Sequence, residues 1–164
     1  MKQLKVLFVD DDINLGSFVS NILETDYNYR VHFQNTLIGI NHIIQNLDPD
    51  IIILDVEVGT ENGIEKAKDI VIKFPQIPII FISPHTEENF ITQGINIGAD
   101  AYLPKPLSIP ILISYIQRFA SKKGQDQIIK ISAYQLNLRT NELFYNSNLL
   151  KKLSPFEKRF WNYL

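Results

Sequence analysis

The sequence predicts an α/β fold: a doubly wound, five-stranded parallel sheet covered by helices on both faces, followed by a partial, mostly β second domain. Two observations predict the first part. Apolar runs of strand length alternate with segments of helical spacing over residues 4–119. The run Ile51-Ile52-Ile53-Leu54 is continuously apolar, as is expected of a central strand that is buried on both sides.

Five apolar runs mark the predicted strands. Each is short, rich in aliphatic and aromatic residues, and bounded by polar or turn-forming residues, which is typical of buried strands. They lie at residues 4–9, 29–33, 51–54, 78–82 and 101–103.

Apolar residues at helical spacing fill the intervals between these strands. Each predicted helix has a residue at its start that favours an N-terminus. The expected starts are Asp12, Thr36 (for a helix over 37–47), Asn62-Gly63, Thr86-Glu87-Glu88 and Ser108 (for 109–119). The expected ends of the second, third and fourth helices are Asp48-Pro49, Pro75 and Gly98.

The pattern changes after residue 123, so residues 1–123 are interpreted as the first domain and 124–127 as a short linker. Short β segments separated by turn residues follow at 128–132, 134–138, 142–145 and 148–152. Ser154-Pro155-Phe156-Glu157 then favours a helix start, with Ser154 as the N-cap and Glu157 completing a capping box. Because the sequence stops at Leu164, the second domain, 128–164, is expected to be incomplete.

Composition excludes several classes of protein. A hydrophobic content of 45% and a charged content of 21% favour a globular core over disorder. No apolar stretch approaches the ~18 residues of a membrane span, and the N-terminus leads directly into a strand pattern without a signal peptide. The chain has no cysteine, which excludes thiolate metal sites and fits a cytoplasmic protein. A net charge of −2 gives no bulk attraction to nucleic acid.

Four of the predicted strands lead into residues with chemical capability. Asp10-Asp11 follow the first strand, Asp55 the third and Ser83 the fourth, while Lys105 comes just after the fifth. The carboxyl ends of parallel strands share one edge, where open α/β folds bind ligands. Carboxylates suit Mg²⁺, and an ammonium and a hydroxyl suit a phosphoryl group. Each residue alone is compatible with an ordinary turn, cap or surface position; the combination is far more specific.

As a set, these motifs resemble the CheY-like receiver domain of two-component response regulators over residues 1–123. The resemblance implies a flavodoxin-like strand order of 2-1-3-4-5. Val9-Asp10-Asp11-Asp12 matches the family's acidic cluster, Asp55 its phosphoacceptor, Ser83 its Ser/Thr position, Lys105-Pro106 its Lys-Pro pair, and Tyr102 its switch aromatic.

The resemblance implies Mg²⁺-dependent phosphoryl transfer to Asp55 from a sensor histidine kinase or a small phosphodonor. It implies that Asp11, Asp55 and the Glu57 carbonyl hold the metal, with Asp10 acting through water. Lys105 would offset charge on the phosphoryl oxygens, Ser83 would move to bind them, and Tyr102 would turn inward. Such a protein is a regulator and not an enzyme, with at most self-phosphorylation and self-dephosphorylation.

Residues 128–164 resemble the beginning of an OmpR/PhoB-type winged-helix output domain, through the four β segments and Leu153-Ser154-Pro155-Phe156-Glu157. The recognition helix of such a domain comes later, so DNA binding is expected only with a complete output domain. A transcription-regulating output is implied.

The surface formed by the fourth helix, fifth strand and fifth helix is the expected homodimer face. In regulators of this type it carries complementary charges, whereas this chain has Ala101, Ile111 and Tyr115. The last helix is apolar on most sides, which indicates either a hydrophobic partner surface, for dimerisation or for docking the tail, or a helix buried by the β segment that follows.

Other functions remain open at this level. One alternative is a phosphorylation-independent, receiver-like interaction module; Pro84, directly after Ser83, favours it by stiffening the switch loop. A Mg²⁺-dependent phosphatase with an aspartyl nucleophile would need a second Asp two residues after Asp55, and Glu57 stands there. A flavin-binding protein is the weakest alternative, because a pocket lined with carboxylates repels the cofactor phosphate.

Overall fold

A computed structural model of the chain describes residues 3–120, 128–137 and 142–153. Strands and helices alternate through the first of these ranges. The parallel strands are β1 (Lys5–Val9), β2 (Arg30–Gln34), β3 (Ile51–Asp55), β6 (Ile79–Ser83) and β7 (Ala101–Pro104), and a short hairpin comprises β4 (Glu57–Val58) and β5 (Glu61–Asn62). The helices are α1 (Ile13–Thr25), α2 (Ile40–Leu47), α3 (Gly63–Lys73), α4 (Glu88–Ile97) and α5 (Ile109–Ala120).

The five long strands form one parallel sheet in the order β2-β1-β3-β6-β7. Counted along the chain, β1, β2, β3, β6 and β7 are the first to the fifth strands of this sheet. Its spatial order is therefore 2-1-3-4-5, and the prediction is confirmed. The register aligns the carboxyl ends: Val9 pairs with Leu54, Asp55 with Ile82, and Ser83 with Pro104. Residues at the ends of four different strands are thereby brought to one edge.

Each face of the sheet has its own hydrophobic core. Ile52 and Leu54 of β3 lie in a core with residues of α2 and α3, whereas Ile51 and Ile53 lie in a second core with residues of α1 and α5. All five residues of β3 are buried. The continuous apolar run therefore exists because this strand is covered on both sides.

Capping residues place most helix starts where the sequence predicts them. The Asp12 carboxylate accepts hydrogen bonds from the N–H groups of Asn14 and Leu15, and the Asn62 side chain accepts from those of Ile64 and Glu65. Gly98 ends α4 with φ +128°, a backbone conformation that favours glycine. These helix boundaries are confirmed.

The predicted start of the second helix is wrong. Helix α2 begins at Ile40, after Gly39 with φ +71°, and not at Leu37 after Thr36. The Thr36 hydroxyl instead accepts a hydrogen bond from the N–H of Ile38 at 3.2 Å, which closes a local turn. Threonine forms such turns as readily as it caps helices, and the left-handed Gly39 then sets the direction of the helix.

The second part of the chain is a four-stranded antiparallel sheet. Its order is β11 (Asn148–Lys152), β10 (Glu142–Tyr145), β9 (Tyr134–Asn137) and β8 (Ile128–Ile131). Leu136, Leu143 and Leu153 form a small core there. The four predicted β segments are confirmed over the described residues. The predicted linker 124–127 and the helix start at Ser154–Glu157 lie outside the described residues, and the domain boundaries remain a prediction.

The apolar character of α5 is explained mostly by the core of the first sheet. Leu112, Ile113, Ile116 and Phe119 are buried, as is Ala101 in β7. Ile111 is 51% exposed. The apolar surface left by α5 is thus narrower than its sequence indicates. No helix within the described ranges is long and apolar enough to cross a membrane.

Candidate functional site

The residues singled out at the four strand ends meet at the carboxyl edge of the parallel sheet. Asp55 ends β3 and Ser83 ends β6, while Asp10 follows β1 and Lys105 follows β7. Asp10 and Ser83 are fully buried, and Asp55 is only 2% exposed. Burying a carboxylate destabilises a protein unless the carboxylate is paired or binds a cation. Packing of the core alone therefore does not explain the acids at this edge.

Three carboxylates form the acidic part of the site. One oxygen each from Asp10, Asp11 and Asp55 lie within 4.8 Å of one another. The main-chain N–H of Gly59 donates to Asp11 Oδ2 at 3.1 Å, and that of Glu57 donates to Asp55 Oδ1 at 3.1 Å. The loop after β3 therefore orients two of the three carboxylates through its backbone.

The Lys105 ammonium lies between two of these acids. Its Nζ donates a hydrogen bond to Asp55 Oδ2 at 2.6 Å and lies 2.8 Å from Asp10 Oδ2. The second contact is an ion pair at hydrogen-bonding distance, so Lys105 is a charged partner of both buried acids. The site thus contains three carboxylates and one ammonium, which gives two net negative charges when all four groups are ionised.

Burial and charge shift the proton affinities of this pair. Burial raises the pKa of the Asp55 carboxyl, and the hydrogen bonds from Lys105 and Glu57 oppose that shift without cancelling it. Burial also lowers the pKa of the Lys105 ammonium, but Asp10 and Asp55 outweigh it and raise the pKa overall. Lys105 therefore keeps its positive charge at neutral pH.

The chain matches the family model described as the response regulator receiver domain, over residues 6–117. It belongs to the receiver-domain family of response regulators. The transcriptional regulatory protein RprY of Bacteroides fragilis (strain YCH46) is 27% identical over 160 residues, covering 86% of this chain and 67% of that protein. KdpE of Staphylococcus aureus (strain NCTC 8325 / PS 47) is 31% identical over 130 residues, covering 77% and 55%. The chain spans between 49% and 67% of the length of such curated relatives.

Solved structures share the fold of this receiver domain. A two-component response regulator from Clostridium difficile superposes with a TM-score of 0.70 at 23% identity, over 75% of this chain and all of that chain. The BeF3-activated DrrB receiver domain has a TM-score of 0.64 at 27% identity, over 73% and 99%. DrrB of Thermotoga maritima, an OmpR/PhoB homolog, matches 99% of this chain and 72% of its own, with a TM-score of 0.64 and 22% identity.

The two predicted switch residues lie next to the acidic cluster of the receiver domain. The main-chain N–H of Lys105 donates to the Ser83 carbonyl at 2.8 Å, so Ser83 and Lys105 are tied together. The Tyr102 hydroxyl donates to the carbonyl of His85 at 2.9 Å, and its ring packs edge-on to Phe81 with centroids 6.3 Å apart. Burial raises the pKa of the Tyr102 hydroxyl. Tyr102 is half-buried beside Ser83 in this structure.

Glu57 is placed differently from the three aspartates. Its side chain is exposed, and its Oε1 lies 3.1 Å from His85 Nε2. The side chain is not part of the carboxylate cluster. The resemblance assigns only the main-chain carbonyl of Glu57 to the metal, and that assignment remains a prediction.

Nothing in the sequence indicates that two further residues, His85 and Gly63, belong to the site. His85 contacts Glu57, but a single histidine in a loop has no informative spacing. Gly63 was predicted only as part of a helix start. A Cβ added at Gly63 would lie 2.1 Å from the carbonyl oxygen of Asp55, so the backbone of α3 packs directly behind the candidate phosphoacceptor.

Proposed function

We propose that this chain is the input part of a two-component response regulator, in which a sensor histidine kinase phosphorylates Asp55 in a Mg²⁺-dependent reaction. The observation that carries the proposal is the environment of Asp55. Its carboxylate is almost completely buried, yet it lies beside two further carboxylates and is hydrogen-bonded by an ammonium. A structural carboxylate has no need of such neighbours, whereas an acceptor for a charged phosphoryl group requires them.

The residues present fit Mg²⁺. The cluster supplies hard oxygen donors only, and its two net negative charges balance the two positive charges of one divalent ion. Asp10 is fully buried beside the other two acids, and we expect it to act on the ion through a water molecule. Asp11, Asp55 and the Glu57 carbonyl would hold the ion directly. When bound, the metal neutralises charge on the phosphoryl oxygens.

The chain's own groups would act as follows. A carboxylate oxygen of Asp55 attacks the phosphorus of the phosphohistidine, forming an acyl phosphate as the P–N bond breaks and its electron pair leaves with the imidazole. Lys105 exchanges its contact with Asp55 for one with a phosphoryl oxygen. Ser83 binds another of these oxygens, and Tyr102 packs into the space that Ser83 leaves, which completes the switch.

The output of this switch would be transcriptional. The relatives named above are transcriptional regulatory proteins, and the structural similarity to DrrB extends across the second sheet. We expect a cytoplasmic protein that binds DNA when joined to a complete output domain and pairs with a second copy through α4, β7 and α5. The protein would act as a regulator, with no turnover beyond forming and losing its own aspartyl phosphate.

Treatment with acetyl phosphate and Mg²⁺, followed by intact-mass spectrometry, tests the proposal. We expect the mass of one phosphoryl group to be added to the unmodified chain and to Asp69→Asn, a control variant that removes an acid on α3. Asp55→Asn should gain no mass, and neither should the unmodified chain in EDTA. Equal modification of Asp55→Asn would contradict the assignment of the acceptor. If the protein shows no change on treatment that depends on Asp55, the phosphorylation-independent interaction module would be favoured instead.

A further inference from the structure

His85 joins three parts of the receiver domain that the switch must coordinate. Its Nε2 lies 3.1 Å from Glu57 Oε1, on the loop that follows Asp55. Its main-chain N–H donates to Ser83 Oγ at 3.0 Å. Its imidazole stacks on Phe90 in the first turn of α4, with ring centroids 4.5 Å apart and an interplanar angle of 14°.

Both predicted switch residues bond to the backbone of His85. Ser83 accepts from its N–H, and Tyr102 donates to its carbonyl. The backbone of His85 is thus held by the switch pair, while its side chain is free to join two other elements. The side chain of His85 contacts Glu57 and Phe90, and its Nδ1 lies 3.8 Å from Glu87 Oε2 at the start of α4.

We infer that the imidazole of His85 is a positioning group that couples the state of Asp55 to α4, along the contacts Glu57–His85–Phe90. The inference rests on the proposed function, because it requires a group to be added at Asp55. The main-chain N–H of Glu57 donates to Asp55 Oδ1, so a new bond at that carboxylate displaces Glu57. The Glu57 carboxylate holds the imidazole, which moves with it.

Packing carries the displacement into α4. Phe90 is half-buried and packs against the core formed with α2 and α3. Because the two rings are in direct contact, a shift of the imidazole toward α4 displaces Phe90. This side-chain route runs over the outside of the site, whereas Ser83 and Tyr102 contact His85 through its backbone.

The glycines of this chain supply the reporters. Only seven glycines are present, so a ¹⁵N-glycine-labelled sample gives a simple amide spectrum. Gly63 packs behind Asp55 and reports on the site. Gly98 ends α4 and reports on that helix. Gly94 lies in α4 against the rings of Phe81 and Tyr102, so it reports also on any movement of Tyr102. Gly16 in α1 serves as an internal reference.

Beryllofluoride with Mg²⁺ is the probe, and the ¹⁹F signal of bound beryllofluoride reports its occupancy separately. His85→Phe keeps an aromatic ring on Phe90 but loses the bond to Glu57. His85→Gln keeps a donor for Glu57 but loses the stacked ring. Thr86→Ala, an exposed neighbour in the same loop, is the matched control.

In the unmodified chain and in Thr86→Ala we expect beryllofluoride to shift the amides of Gly63, Gly94 and Gly98. In both His85 variants, at equal occupancy, Gly63 should still shift, while the shift of Gly98 falls by roughly twofold or more. An unchanged shift of Gly98 in both variants would overturn the inference and leave Ser83 and Tyr102 as the route to α4. The absence of bound beryllofluoride from the unmodified chain would overturn the proposed function itself.

Discussion

Lys105 Nζ lies 2.6 Å from Asp55 Oδ2, so the candidate phosphoacceptor is already engaged by the group proposed to bind its phosphoryl oxygens. The same ammonium lies 2.8 Å from Asp10. Lys105 therefore has two roles that can be separated. It offsets the repulsion among the buried carboxylates of the unmodified protein, and it contacts the added group after phosphorylation.

Replacing Lys105 with Met tests the first role. Asp10 and Asp55 would lose the one cationic side chain that contacts them among the described residues, so we expect the free energy of unfolding at pH 7 in EDTA to fall by about 1–3 kcal/mol. Mg²⁺ should restore more stability to the variant than to the unmodified chain. Urea denaturation with and without Mg²⁺ measures both effects. Lys68→Met, which removes an exposed ion pair with Glu65 on α3, should change stability by less than about 1 kcal/mol.

Asp55→Asn should have the opposite effect on stability. Folding raises the pKa of Asp55, so ionising this carboxyl costs more free energy in the folded state than in the unfolded state. A neutral amide of the same shape should therefore raise the free energy of unfolding at pH 7 in EDTA by about 1 kcal/mol. Lys105 keeps Asp10 as its partner in this variant. A loss of stability in urea denaturation would mean that the bond from Lys105 to Asp55 outweighs the cost of burying the charge.

The raised pKa of Asp55 also gives Mg²⁺ binding a definite pH dependence. The stability that Asp55 contributes is fully present below its unfolded-state pKa, near 3.8, and is lost as the pH rises through its higher folded-state value. Mg²⁺ requires the ionised form, so its affinity should increase over that same rise in pH and become constant above it. Calorimetric titrations with Mg²⁺ in buffers of different ionisation enthalpy should detect proton release within this window.

Asp69 provides a contrast of opposite sign. Hydrogen bonds from Asn41 and Lys73 lower the pKa of Asp69, so its contribution is present above the usual carboxyl pKa and is lost as the pH falls through its folded-state value. Asp69→Asn should therefore lower the free energy of unfolding at neutral pH, and this difference should disappear as the pH falls through the folded-state pKa of Asp69. The pH dependence of Mg²⁺ affinity should stay unchanged. If Asp69→Asn and Asp55→Asn altered Mg²⁺ affinity alike, the metal would not be bound at the strand ends.

The strand ends could be predicted from the sequence because the signal is local. An apolar run followed by Asp55 or Ser83 places that residue at the edge of a buried strand, and the parallel arrangement then gathers such residues together. The start of α2 could not be predicted in the same way. Thr36 is followed by helical spacing, but the helix direction depends on the left-handed conformation of Gly39, and several residue types at position 39 would have left the pattern unchanged.

The contacts of His85 could not be predicted because they require two loops to fold against each other. Glu57 and His85 are 28 residues apart, and neither has a spacing that indicates the other. The exposure of α5 is a similar case. Its sequence is apolar on most sides, yet which side chains remain at the surface depends on how deeply the helix packs into the sheet, and Ile111 is exposed where Leu112 and Ile113 are not.

Gly63 sets how closely α3 approaches Asp55, and its substitution tests the rigidity of the site. A Cβ at this position would lie 2.1 Å from the carbonyl oxygen of Asp55, so Gly63→Ala must displace the backbone of β3 or of α3. We expect a loss of about 1–3 kcal/mol in the free energy of unfolding and a slower phosphorylation by acetyl phosphate. Gly39→Ala is the matched control, since its Cβ meets open space and its cost, about 1–2 kcal/mol, comes only from φ +71°. Its phosphorylation rate should be unchanged. Equal rates in the two variants would show that the reactivity of Asp55 tolerates a displacement of its backbone.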